Sequence, residues 1–157
     1  VNFDQVTKDI YRGGRPSMSD LKLLKEVFKV NRIISLDQNV GLNISPYVKS
    51  LGIEHIILPI EVEGSDGIIN YVRDNITELL TDNKPTYIHC FYGKDRTGLA
   101  IMFYRLKTGY SKEQALEEAG KFGFGTNLKE STREYYQSFI DAPDNNNVND
   151  FVLQSTK

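Results

Sequence analysis

The chain has 157 residues, a formal net charge of -2 and a single cysteine. Its length fits one domain with a proper buried core, and its slight acidity offers no broad basic field to nucleic acid or to a membrane surface. One cysteine forms no internal disulfide, one cysteine with two histidines falls short of a usual closed zinc site, and no run is apolar enough to span a bilayer.

In chain order, Ile10-Tyr11-Arg12 reads as a short strand, and Gly13-Gly14 with Pro16 turns the chain. Ser17 or Ser19 can cap a helix to about Lys29, with Leu21, Leu24, Val27 and Phe28 on one face. Ile33 to Leu36 reads as a strand. Ser45 before Pro46 marks a short helix that stops at Gly52, and the β-branched run Ile53 to Ile60 reads as the next strand. Ser65 caps a helix to about Leu80, whose apolar residues recur at helical spacing. A strand over 85–88 and a core helix over 97–106 follow. A capping box of Ser111 with Gln114 and a last helix over 130–140 close the pattern. Strands separated by helices predict an α/β domain, a mainly parallel sheet of four to five strands flanked by helices, over residues 1–143. Residues 144–157 read as a loose tail. A monomer is expected. The chain begins at Val1, so a processed precursor leaves a secreted or periplasmic location open beside the expected cytoplasmic one.

The most informative passage is His89-Cys90-Phe91-Tyr92-Gly93-Lys94-Asp95-Arg96-Thr97-Gly98. A lone cysteine is ordinarily a small buried hydrophobe. Here it stands between a strand and a core helix, with an arginine six residues on, which is the layout of a nucleophile in a phosphate-binding loop. A thiol of reference pKa near 8.5 is mostly protonated at neutral pH, so the attacking thiolate needs the positive end of a helix and a nest of backbone N–H groups. Phe91, Tyr92, Gly93 and Lys94 contribute such a loop. Arg96 offers a bidentate fork to two phosphoryl oxygens, and Gly93 lets the chain turn. Thr97 brings a hydroxyl beside the leaving sulfur. In open sheets ligands bind beyond the carboxyl ends of strands, where Cys90 falls.

These residues resemble the cysteine-dependent protein tyrosine phosphatase superfamily, with its His-Cys-x5-Arg-Ser/Thr signature. They are most similar to its compact dual-specificity branch and to bacterial members with a Gly-Lys-Asp-Arg-Thr-Gly loop. Tyr11-Arg12-Gly13-Gly14-Arg15-Pro16 looks like the opening strand and turn of bacterial and plant or fungal atypical members. The resemblance implies a dual-specificity phosphatase-like fold and a phosphocysteine intermediate. It implies no cofactor or metal, and a substrate among phosphotyrosine or phosphoserine proteins, phosphoinositides and inositol phosphates. It gives His89 a role orienting the loop by a backbone hydrogen bond.

Most of the superfamily takes its general acid from an aspartate on a separate upstream loop. This chain has Glu61, Glu63 and Asp66 there, and no aspartate at the usual distance. In relatives with Lys-Asp-Arg in the loop, and in myotubularins, the loop aspartate is assigned that role, so Asp95 is the favoured acid and Asp66, Glu63 and Glu61 the alternatives. Arg12, Arg15, Lys129 and Arg133 are candidates for a second phosphate group, each with an ordinary surface role as its plain alternative. His55 is read as structural. A rhodanese-like sulfurtransferase and a phosphate-binding pseudophosphatase are the competing functions.

Overall fold

The structure, a computed structural model, describes residues 2–80 and 83–142. Among them are five strands, β1 (Asp4–Thr7), β2 (Ile10–Gly13), β3 (Arg32–Ser35), β4 (Glu54–Ile57) and β5 (Thr86–His89). The described residues also form six helices: α1 (Met18–Glu26), α2 (Gln38–Ser50), α3 (Asp66–Leu80), α4 (Arg96–Lys107), α5 (Lys112–Lys121) and α6 (Glu130–Asp141). The expected tail at 144–157 lies outside the described residues.

The five strands form one sheet in the order β1-β2-β5-β3-β4. β5 pairs in parallel with both β2 and β3, β4 adds in parallel to β3, and β1 runs antiparallel at the edge. A strand buried on both faces must be apolar at successive positions, and Ile33-Ile34 and Tyr87-Ile88 are. Ile33, Tyr87, Tyr11 and Ile53 pack with Leu21, Leu24 and Val48 of α1 and α2. Ile34, Ile88 and Ile10 pack on the opposite face with α3 to α6. α4 is buried at every position from Thr97 to Tyr104, as its unbroken apolar sequence predicts.

Four boundaries differ from the sequence reading. β1 was not foreseen, because Asp-Gln-Val-Thr carries only one strongly apolar side chain and gains its order from pairing with β2. α1 stops at Glu26 instead of Lys29, since Lys29 turns left-handed at φ 60. The second helix begins at Gln38, not Ser45. Asp37 caps it by accepting from Val40 N at 2.9 Å, and Pro46 is carried inside, one backbone donor short. β4 ends at Ile57, yet Leu58 N and Ile60 N still reach Ser35 O and Leu36 O at 2.8 and 3.0 Å; Pro59 interrupts the ladder because it has no N–H.

Candidate active site

Cys90 leaves the carboxyl end of the central strand β5, and α4 begins at Arg96. The thiol is 2% exposed, and Gly93 N–H donates to its Sγ at 3.2 Å. The loop is therefore curled back on its cysteine, at the positive end of a twelve-residue helix.

The loop is held from outside by its carbonyl groups. His89 Nδ1 lies 2.9 Å from Cys90 O, Arg15 N donates to Phe91 O at 2.9 Å, and Arg12 Nη2 donates to Gly93 O at 3.1 Å. In a trans peptide the following N–H points opposite to the carbonyl. These three anchors thus turn the N–H groups of Phe91, Tyr92 and Lys94 away from their outer partners, toward the concave side where an anion would sit. Gly13 and Gly14 allow this approach. Gly93 has φ 75, and a Cβ on it would stand 2.5 Å from the Gly13 carbonyl carbon. Tyr87 Oη donates to Gly14 O at 2.5 Å and fixes the turn.

Arg12 is accordingly no surface cation and no rim group for a second phosphate. It is 1% exposed and stacks on Phe122 at 4.0 Å. Its Nε and Nη1 are buried without a partner. Burial lowers its pKa to about 10, against the attraction of Glu118, Cys90 and Asp4, so it stays charged at neutral pH. Arg15 lays its guanidinium over Phe91 at 4.2 Å. Tyr92 is exposed and packs edge-on against Phe91. Lys129 and Arg133 are exposed at the start of α6. The aliphatic parts of Lys94 and Arg133 lie against Gly123 and Gly125, 3.1 and 3.3 Å from the Cβ those glycines lack. Lys94 and Arg133 therefore flank one turn beside the loop.

Arg96 Nη2 pairs with Asp37 Oδ2 at 3.1 Å, and its Nη1 donates to Ile60 O at 3.4 Å. Asp37 thus caps α2 with one oxygen and orients the arginine fork with the other. Thr97 is fully buried, and its Oγ1 has no hydrogen-bond partner, so its proton is free for a sulfur or an oxygen entering the loop.

Asp95 occupies the cap position of α4 without capping it. Its Oδ1 instead accepts from Gly125 N at 2.8 Å, and burial raises its carboxyl above the usual carboxylate range. The other carboxylates differ. Asp66 accepts from the Tyr135 hydroxyl, and that oxygen accepts from Ser65 N at 2.9 Å. Glu61 and Glu63 are exposed, and the Glu61 backbone is held by Ser65 Oγ and Tyr136 Oη. Only Asp95 combines a place in the loop with a raised pKa.

His89 is fully buried, which drives its pKa down to about 4. A neutral ring is the form that orients a loop and carries no charge into it. Sequence reasoning missed Asp37, Ser35, His55 and Gly125 as neighbours of the site. Asp37 alone carried a signal, since a polar residue just past a buried strand marks the ligand-facing edge of such a sheet.

A sheet with a cysteine beyond its central strand, and an arginine opening the next helix, is the arrangement that the resemblance to cysteine-dependent phosphatases implies. The family model described as tyrosine phosphatase family matches residues 1–155, and the chain belongs to that family. A dual specificity protein phosphatase of Pseudomonas aeruginosa is 26% identical over 131 residues, 80% of this chain and 56% of its own length. An inositol diphosphatase of Saccharomyces cerevisiae is 26% identical over 155 residues, 94% of this chain and 52% of its own. The chain thus spans about half the length of these relatives. Among solved structures, the core catalytic domain of a PP-IP phosphatase from S. cerevisiae, in complex with citrate, superposes with TM-score 0.71 at 25% identity, covering 99% of this chain and 93% of that one. The P. aeruginosa dual specificity phosphatase superposes at 0.74 with 22% identity, covering 93% and 88%. Among the described residues no helix is long and apolar enough to cross a membrane, and no cluster of three His, Cys, Asp or Glu could hold a metal ion.

Proposed function

We propose that the chain is a phosphomonoester hydrolase that works through a phosphocysteine. Cys90 Sγ attacks phosphorus while Arg96 and the N–H groups of the loop bind the equatorial oxygens. As the P–O bond breaks, Asp95 delivers its proton to the leaving oxygen. Water then attacks the phosphocysteine and returns its proton to Asp95, the S–P bond breaks, and the Thr97 hydroxyl donates to the departing thiolate. The observation that carries this reading is the Gly93 N–H directed at Cys90 Sγ inside a loop whose outward carbonyls are tied down. Family membership favours phosphoryl transfer over the rhodanese-like alternative, and a complete set of nucleophile, arginine and hydroxyl argues against a pseudophosphatase.

The substrate class follows the relatives, a dual specificity protein phosphatase and an inositol diphosphatase. Phosphotyrosine and phosphoserine proteins, phosphoinositides and inositol phosphates are the candidates. Lys94 and Arg133, flanking the turn at Gly123–Gly125, support a substrate carrying a second anionic group. The test is turnover across these substrates with Cys90→Ser as the blank. Activity that vanadate inhibits and EDTA leaves intact is the expected result. Activity retained in Cys90→Ser refutes the mechanism, and cyanide-dependent sulfur transfer from thiosulfate refutes the reaction class.

A further inference from the structure

On the face of the sheet covered by α1 and α2, three polar side chains from three strands touch in a line. His55 Nε2 of β4 lies 2.8 Å from Ser35 Oγ of β3, and the same Oγ lies 2.7 Å from His89 Nε2 of β5. His89 Nδ1 then lies 2.9 Å from Cys90 O. Ser35 and His89 are both fully buried, and α2 closes over Ser35 at Gly41, where a Cβ would stand 3.0 Å from that of the serine.

With His89 neutral, elementary valence assigns the protons in this line. Cys90 O can only accept, so His89 Nδ1 donates. The ring is neutral, with its pKa lowered to about 4 chiefly by burial, so Nε2 has no proton and must accept from Ser35. The serine has one proton and has used it, so it accepts from His55 Nε2–H. His55 Nδ1 is then the bare nitrogen, and it is the one buried without a partner. A proton there would be buried with no acceptor, which agrees with the lowered pKa of His55, due first to burial and then to Lys49 of α2. The other charges beside the line are Asp37 and Arg96, near His89.

We propose that Ser35 and His55 are positioning residues for the nucleophile: the directed line His55 to Ser35 to His89 locks His89 in its Nδ1–H tautomer and so holds the Cys90–Phe91 peptide with its N–H turned toward the bound phosphoryl group. Every donor in the line points toward the loop, so the dipoles align with positive ends toward Cys90. The inference builds on the reading of Cys90 as nucleophile, but its first test does not. Nitrogen-15 NMR of the two histidines in the wild-type protein at pH 7 should show His89 as the Nδ1–H tautomer and His55 as Nε2–H. The opposite tautomer at either ring overturns the line. These tautomers in a protein without turnover on any phosphate overturn the proposed function and leave the line standing.

The second test is kinetic. Ser35→Ala should lower kcat about five- to tenfold, the effect of one buried hydrogen bond, and shift His89 to a tautomer mixture. His55→Phe, at a half-buried position, should do the same more weakly, and His55→Gln, whose amide can still donate, should restore both rate and tautomer. Equal loss in His55→Phe and His55→Gln, or an unchanged His89 signal in Ser35→Ala, overturns the proposal.

Discussion

Replacing Arg12 by methionine separates what holds the fold from what holds the active loop. Arg12 donates to Gly93 O at 3.1 Å through one nitrogen, while Nε and Nη1 are buried with no partner. The desolvation of this charge is therefore only partly offset within the protein, and an apolar side chain of similar length relieves that cost, which offsets the lost stacking on Phe122 and hydrogen bond to Gly93 O. The hydrogen bond from the charged group to Gly93 O is worth about 1.5–3 kcal/mol. If it serves mainly to aim the Lys94 N–H, its loss appears in the transition state as a fall of about 10- to 150-fold in kcat/KM. Arg12→Met should thus melt at or above the wild-type temperature while hydrolysing p-nitrophenyl phosphate at least tenfold less efficiently. Vanadate should bind more weakly in proportion, since it samples the same loop. The assay is a steady-state rate series beside a thermal melt on the same preparation. Activity within twofold of wild type, or activity and melting temperature falling together, refutes the argument that Arg12 acts through the loop.

Asp95→Asn should reduce turnover of an alkyl phosphate by about 10²- to 10⁴-fold and that of p-nitrophenyl phosphate far less, because the acidic leaving group departs without a proton. Burial raises the Asp95 carboxyl, so wild-type activity on the alkyl substrate falls as pH rises through that elevated value. The falling limb should be missing from the variant's pH profile on the activated substrate, and equal losses on both substrates transfer the acid role to Asp66, Glu63 or Glu61. Asp37→Asn keeps a good helix cap but loses the charge facing Arg96, so kcat/KM should drop about tenfold with little change in melting. Asp37→Ala should also lose about 1 kcal/mol of stability, and urea titration of the pair separates the two roles. His89 titrates at about 4 in the folded protein, below its unfolded value near 6.5. Its stabilisation is therefore whole above pH 6.5 and is lost as pH falls toward 4, on the order of 3 kcal/mol. Urea unfolding at pH 7, 5.5 and 4 should show that slope in the wild type and a shallower one in His89→Asn; identical slopes refute it.

The candidate site is legible in the sequence because its parts are contiguous: Cys90, Gly93, Asp95, Arg96 and Thr97 lie within eight positions, and a strand and a core helix frame them. The sheet is legible for a similar reason, since runs such as Ile33-Ile34 and Tyr87-Ile88 must be buried on both faces. What holds the loop in shape is not local. Arg12 reaches Gly93 across 81 positions, Ser35 meets His89 across 54, and Asp95 accepts from Gly125 across 30. No periodicity connects such pairs. An arginine near the N-terminus reads as a surface charge, and His55 reads as structural with no partner named. Arg12 meets Gly93 O, and His55 meets Ser35, only once β2, β3 and β4 lie beside β5. The Ser45-Pro46 error has the same origin. Local chemistry favours a helix start there, but Asp37 already caps the helix while facing Arg96, so the true boundary is set where secondary structure and active site share one carboxylate. In the proposed mechanism the loop's sequence therefore specifies which bonds form and break, and the sheet's strand order specifies how tightly the reacting groups are aimed. Substitutions at Arg12, Ser35, Asp37 and His55 should accordingly change rate without changing the kind of reaction catalysed.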